Sequence, residues 1–188
     1  MLGPRQVTAT TKKVRAFLPN SKKAWVIHGQ HTRPMTHLGF EGLYEADIPV
    51  TVKDTTYQLQ VENNRGQITT MHDPYAFMPM LGELDLHLFG EGRHYEIYDR
   101  LGAHIRTVDG VQGVNFAVWA PNAQGISVVG DFNEWDGRGH AMQKHVPAGI
   151  WELFIPGMKA GDKYKFRVLR DNGGTVDKTD PYGFAQEL

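Results

Sequence analysis

The chain has 188 residues, with 20 Lys plus Arg against 21 Asp plus Glu, a formal net charge of -1, 40% hydrophobic residues and no Cys. Such a length holds one domain or two small ones, and the composition excludes disorder and collagen. The balanced charge gives no field for nucleic acid or an anionic membrane, and the missing thiols exclude disulfides, thiolate metal sites and Cys nucleophiles. No run of about 18 apolar residues could cross a bilayer, and Met1 to Lys13 lacks the apolar core of a signal peptide, so a cytoplasmic protein with an uncharged partner is expected.

In chain order, Val14-Arg15-Ala16-Phe17-Leu18-Pro19-Asn20 reads as a strand running into a turn, and Gly42-Leu43-Tyr44-Glu45-Ala46-Asp47-Ile48-Pro49 as another. Tyr57, Leu59 and Val61 alternate with Gln58 and Gln60, the period-2 pattern of a half-buried strand, before Asp73-Pro74-Tyr75-Ala76-Phe77. Leu84, Leu86 and Leu88 also alternate like a strand, and no segment shows a convincing amphipathic helix. The landmarks then recur in the same order. Phe17-x-Pro-Asn returns as Trp119-x-Pro-Asn, Gly42 to Pro49 as Gly149-Ile150-Trp151-Glu152-Leu153-Phe154-Ile155-Pro156, Tyr57 to Val61 as Tyr164-Lys165-Phe166-Arg167-Val168, and the closing motif as Asp180-Pro181-Tyr182-Gly183-Phe184. The expected fold is all-β: two tandem immunoglobulin-like β-sandwiches of about seven strands, residues 1–82 and 113–188, joined by a structured connector over 83–112.

Catalytic signatures for serine hydrolases, nucleotide-binding loops and zinc proteases are missing, and no catalytic residue, metal or cofactor is expected. His28, His31 and His37 lie close in sequence but lack a carboxylate at matched spacing, so exposed histidines are the preferred reading over zinc. The run from Asp131 starts like a calcium loop, yet it puts Trp135 at a ligand position and Met142 where a Glu belongs. Asp131, Glu134, Asp136 and Glu152 are the acids from which a glycosidase pair would have to come. Trp135 is the unusual residue, an aromatic in the polar turn Gly130-Asp131-Phe132-Asn133-Glu134-Trp135-Asp136-Gly137. A flat ring for the C–H face of a sugar, with amides or ammonium groups for its hydroxyls, makes a carbohydrate platform; the competing reading caps the end of the sandwich with the ring. Trp25, Trp119 and Trp151 lie in strands and read as core or interface.

The segments Val114 to Ala123, Val128 to Gly137, Gly149 to Gly157 and Asp180 to Ala185 resemble the glycogen branching enzymes, and His87-Leu88-Phe89-Gly90-Glu91-Gly92 is similar to their interdomain connector. The resemblance implies that the second sandwich is a family 48 glycogen-binding module of the isoamylase N-terminal type. It further implies a parent protein that moves α-1,4-glucan segments into α-1,6 branches on a (β/α)₈ barrel. That barrel needs about 250 residues, so none of its catalytic carboxylates matches a position here, and a non-catalytic N-terminal fragment is expected, with the barrel as one partner. Carried over from the family, the glucan contacts fall on Trp135, Asn133 and Lys165. A second tryptophan that glycogen-sensing members hold in a late hairpin is replaced here by Arg170-Asp171-Asn172-Gly173-Gly174-Thr175, which implies weak binding of maltooligosaccharide. Module one has Gly29 to Thr36 where the second has its tryptophan turn, so no equivalent site is expected there. The alternative is purely structural, with both sandwiches bracing the barrel or a second subunit; exposed Trp119, Trp151 and Phe154 would favour it.

Overall fold

The computed structural model describes residues 2–185. The chain divides into two compact units, residues 1–78 and 79–188. The first holds β1 (Gly3–Gln6), β2 (Thr11–Phe17), β3 (Ser21–His28), β4 (His31–Pro34), β5 (Thr36–His37), β6 (Leu43–Pro49), β7 (Gln58–Asn63) and β8 (Ile68–His72). They pair antiparallel into two sheets, in the orders β1-β2-β6-β5 and β4-β3-β7-β8. The alternation seen in the sequence sets their inner faces. Val14 and Ala16 of β2, Ala24 and Val26 of β3, Tyr44 and Ile48 of β6 and Leu59 of β7 are buried. Trp25 is half-buried on the opposite face of β3 from Ala24 and Val26, so it is not a core residue.

The second unit opens with α1 (Glu83–Gly90), followed by β9 (Gly102–Val108), β10 (Val111–Trp119), β11 (Gly125–Gly130), β12 (Gln143–His145), β13 (Ile150–Pro156), β14 (Tyr164–Leu169) and β15 (Thr175–Lys178). Its sheets run β12-β13-β10-β9 and β11-β14-β15. The strands of each unit follow one plan: β9, β10, β13 and β12 take the places of β1, β2, β6 and β5, and β11, β14 and β15 those of β3, β7 and β8. Only β4 has no strand counterpart, and the segment that stands there is the turn carrying Trp135.

The repeated landmarks are the joints of this plan. In the first unit the Tyr57 hydroxyl donates to Asp73 Oδ2 at 2.6 Å, and Asp73 Oδ1 accepts from the Tyr75 amide at 2.9 Å. In the second, the Tyr164 hydroxyl donates to Asp180 Oδ2 at 2.5 Å and Asp180 Oδ1 accepts from the Tyr182 amide at 2.8 Å. Each Asp-Pro-Tyr motif therefore ties the end of its unit to a tyrosine at the start of an inner strand, just before β7 in the first unit and at the head of β14 in the second. Burial pushes the Asp73 carboxyl up to about 6, against the hydrogen bonds from Tyr57 and Tyr75 that favour its charge. Gly42 and Gly149, at φ 78° and 72°, accept at their carbonyls from Leu18 and Ala120, and a Cβ at either would press on the Leu18–Pro19 or Pro121 backbone.

Residues 83–112, read from the sequence as a connector, hold α1, a 3₁₀ turn and β9 and belong to the second unit. The strand reading of Leu84 to Leu88 is corrected: these residues are helical. Leu86 and Phe89, three apart on one face, pack with Ile97 and Ala148 on a cluster of Leu81, Leu101, Ala117 and Ile150, while Leu84 is exposed. The Gly82 amide donates to Asp85 Oδ2 at 3.3 Å, and Glu83 and Asp85 favour the helix N-terminus. This layer covers the outer face of β10 and β13, which is why Ile150 to Ile155 is buried at every position instead of at alternate ones. Trp151 and Phe154 are accordingly buried, and the Trp151 indole donates to the Ala120 carbonyl at 2.9 Å; Trp119 is 55% exposed, edge-on to Phe89. No described helix is long and apolar enough to cross a membrane.

Candidate functional site

The turn that replaces β4 starts where β11 ends. Gly130 lies so close to the Lys163 carbonyl that a Cβ would sit 2.1 Å from its oxygen, so only glycine lets the chain leave the strand here. Residues Asp131–Asn133 make a 3₁₀ turn, and Glu134 and Trp135 follow in the left-handed region at φ 53° and 61°. Two successive non-glycine residues there are strained and have to be held by their surroundings. Asn133 does much of that. Its Oδ1 accepts from the Gly130 amide at 3.0 Å, and its Nδ2 donates to the Val128 carbonyl at 2.9 Å and meets His140 Nδ1 at 3.2 Å. The Trp135 amide donates to the Gly130 carbonyl at 2.9 Å, closing the loop.

Trp135 is partly covered and partly open. Its indole N–H donates to Asp131 Oδ1 at 2.9 Å, which fixes the ring by its edge, and the residue is 37% exposed. Arg167, on β14, donates from Nη1 to the Trp135 carbonyl at 3.0 Å and from Nε and Nη2 to the Asp177 carboxylate on β15, both at 2.8 Å. Hydrogen bonding to Asp177 raises the Arg167 guanidinium and holds the Asp177 carboxyl below its usual range. Lys165 lies two residues before Arg167, on the same face of β14, opposite Val129 in register. The fold thus places Trp135, Asn133 and Lys165 on one side of the β11-β14-β15 sheet, with Asn133 engaged inside the turn.

Arg167 of β14 and His140 support this turn without having been singled out in the sequence, and Asp131, weighed there only as a calcium ligand or a catalytic acid, is the partner of the indole. Arg167 alternates with Phe166 and Val168 as any exposed strand residue would, and only the register of β14 against β11 brings it under the turn. Arg167→Met is expected to lower the stability of the second unit by about 1 kcal/mol, the scale of part-exposed hydrogen bonds, and to red-shift Trp135 emission. Urea unfolding followed by fluorescence checks it; an unchanged spectrum would show that the turn does not depend on Arg167.

Three of the acids weighed for catalysis have structural partners. Asp131 holds the indole, Asp136 is engaged by Arg138 at 2.7 Å, and Glu152 is buried among four donors. Hydrogen bonding from Arg138 keeps the Asp136 carboxyl below its usual range in spite of partial burial. His28 is buried against His31, at 5.4 Å between ring centroids, whereas His37 lies against Tyr44. Among the described residues no group of three His, Cys, Asp or Glu side chains could hold a metal ion.

Residues 100–183 match the family profile of carbohydrate-binding module 48, the isoamylase N-terminal domain, and residues 1–75 match that of the N-terminal domain of the α-1,4-glucan branching enzyme GlgB. Together the two matches fit the N-terminal region of a GlgB branching enzyme. It is 49% identical over 177 residues to the 1,4-alpha-glucan branching enzyme GlgB of Thermosynechococcus vestitus, covering 93% of this chain and 23% of that protein. The GlgB of Rhodopirellula baltica is 49% identical over 179 residues, with 93% and 24% covered. The chain therefore spans about a quarter of the length of the curated relatives it matches. Among solved structures, a type I pullulanase from Bacillus subtilis in complex with maltose aligns over 95% of this chain and 24% of its own, at 15% identity and a TM-score of 0.33. Within the GlgB N-terminal region, the Trp135 turn falls inside the module 48 match and the β4 segment inside the GlgB N-terminal match.

Proposed function

We propose that this chain is the non-catalytic, α-glucan-binding N-terminal part of a cytoplasmic branching enzyme, and that the second unit holds the glucan against Trp135. The observation that carries the reading is the ring itself, tied at its N–H to Asp131 and left over a third exposed in a turn that costs backbone strain to build. A glucosyl unit laid on that face would gain C–H···π contact, and Lys165 would donate to its hydroxyls. Asn133 serves the same site from below: with Oδ1 on Gly130 and Nδ2 on Val128 and His140, it holds the ring in place. Branching chemistry would belong to a barrel elsewhere in the same protein, and β4 leaves the first unit without a comparable platform.

Trp135→Ala is expected to weaken binding of maltoheptaose about tenfold or more, since removing a stacked ring takes away the largest single contact of a shallow site. Calorimetric titration, with retardation in native gels cast with glycogen as a second readout, checks it on protein shown to be folded by circular dichroism. Equal affinity in the variant would move glucan binding away from this turn.

A second reading is favoured by a separate observation. Trp119 is 55% exposed beside Phe89, and Leu84 is exposed on α1, so this side of the second unit offers apolar surface of the sort that another part of the protein covers. Bracing the barrel and binding glucan use different residues and are compatible.

A further inference from the structure

Away from the Trp135 turn, the second unit carries a polar cleft of about 470 Å³ between α1, the loop that follows it and β9. Asp85, His94, Asp99, Arg100, His104 and Arg106 line it. That volume lies in the range of small-molecule clefts. The walls are built, because each basic group is anchored at one atom. His94 Nε2 donates to Asp85 Oδ1 at 2.9 Å, Arg100 Nε donates to the same oxygen at 3.2 Å, and Arg106 Nη2 donates to the Asp99 carbonyl at 3.2 Å. His104 Nε2 donates to the Leu101 carbonyl at 2.9 Å, which leaves Nδ1 facing outward as an acceptor in the neutral ring. Both guanidiniums keep further N–H groups without a partner among the described residues.

Beside the cleft, sharing Asp99, Arg100, His104 and Arg106 with it, is a recess of about 10 Å³, with Asn115 in its wall. Asn115 is 5% exposed. Its Nδ2 donates to Glu152 Oε1 at 2.9 Å, and because a carboxylate only accepts, the amide orientation is settled and the other atom is the oxygen. That oxygen is buried without a hydrogen-bond donor among the described residues.

The charges narrow the class of ligand. Two arginines, one of them paired with the Asp85 carboxylate, share the lining with Asp85, Glu96 and Asp99, so an anion meets acids and a metal ion meets arginines. A neutral ligand that both donates and accepts at many points fits the whole surface, and a sugar is such a ligand. Tyr95 and Tyr98, in the same loop as Glu96 and Asp99, are exposed aromatic rings near the rim in sequence. We propose that this cleft is a second carbohydrate subsite, which takes a short stretch of α-glucan with Arg100 and Arg106 on its hydroxyls. The glucan identity rests on the reading of the chain as glucan-binding; the second site itself rests on the cleft.

The test is a titration of the ¹⁵N-labelled chain with maltoheptaose, followed at the Trp135 indole N–H and, separately, at the Arg100 and Arg106 Nε–H and the Asn115 side-chain amide. The cleft signals are expected to move in a saturable way, to keep moving in Trp135→Ala, and to need about tenfold more sugar in Arg106→Gln, which leaves the Trp135 response unchanged. Movement at the cleft alone would support the subsite while removing Trp135 as a platform. Movement confined to the Trp135 turn at saturation would overturn the cleft proposal and leave the first site standing. Silence at both places, up to the solubility of the sugar, would overturn both.

Discussion

Glu152→Ala is expected to lower the stability of the second unit by about 3 kcal/mol or more, the largest effect of any single substitution considered for this chain. The carboxylate is 1% exposed, at the middle of β13. Its Oε1 accepts from the Met80 amide at 2.8 Å and from Asn115 Nδ2 at 2.9 Å; its Oε2 accepts from His145 Nε2 at 2.7 Å, and the Leu81 amide lies 3.3 Å from both oxygens. Burial pushes its pKa up, but the bonds from His145, Met80, Asn115 and Leu81 outweigh that and hold the group below its usual range, as an anion. Alanine would orphan these donors together, and the segment that Glu152 pins, Met80–Leu81, would lose its anchor on the sheet just where Leu81 enters the cluster under α1. For a unit of this size the loss corresponds to a fall of about 15 °C in the thermal midpoint. Glu152→Gln keeps one accepting oxygen but aims an NH₂ at other donors, so an intermediate loss of about 1–2 kcal/mol is expected. Glu62→Ala provides the contrast: it removes a pairing with Lys23 at 3.8 Å, and stability should fall by less than about 1 kcal/mol. Thermal unfolding of the three variants would decide it, and a Glu152→Ala protein that melts with the parent would show that the buried carboxylate is no clamp.

The same residue marks the limit of what the amino-acid sequence discloses. Glu152 was legible as an acid in an apolar strand and was weighed as a catalytic group; its donors come from residues 71 and 72 positions earlier and from two other strands, and no local pattern announces them. What repeats was legible. The recurrence of Tyr57 and Asp73 as Tyr164 and Asp180 predicted two copies of one sandwich, and each pair is a hydrogen bond in the structure. Helix α1 was not, because Leu84, Leu86 and Leu88 alternate as in a strand while the pair that packs is Leu86 with Phe89. Trp25 and Trp119 were read as core or interface from their strands; a strand has two faces, and Trp25 takes the outer one, while Trp119, over half exposed, keeps only the interface part of that reading. In the candidate site, Trp135 was visible as an aromatic out of place. The service that Asn133 gives to the turn was not, since it depends on His140 and on the carbonyl of Val128.

That dependence makes the turn sensitive to acid. Burial pushes the His140 imidazole down to about 4, against an upward pull from Asp136, while an unfolded histidine titrates near 6.5. Asn133 Nδ2 is a donor, so the 3.2 Å contact requires His140 Nδ1 to be unprotonated, with the neutral ring carrying its hydrogen on Nε2. Between pH 6.5 and 4 the unfolded chain binds a proton that the folded chain refuses, so stability is complete above pH 6.5 and falls as the pH drops through that window. By pH 5 the loss from this one group amounts to about 2 kcal/mol, approaching about 3 kcal/mol below pH 4. The carboxylates of Asp85, Asp136, Glu152 and Asp177 are all held below their usual range and weaken the unit only in stronger acid, which separates their contribution from that of His140. His140→Gln removes the titration, and its Oε1 can take the Asn133 donor. The variant is therefore expected to lose about 2 kcal/mol less than the parent between pH 7 and pH 5 in urea unfolding, with Trp135 emission steady over the same range. Parallel pH profiles for the two proteins would show that the imidazole stays neutral for nothing, and that Asn133 holds the tryptophan turn without it.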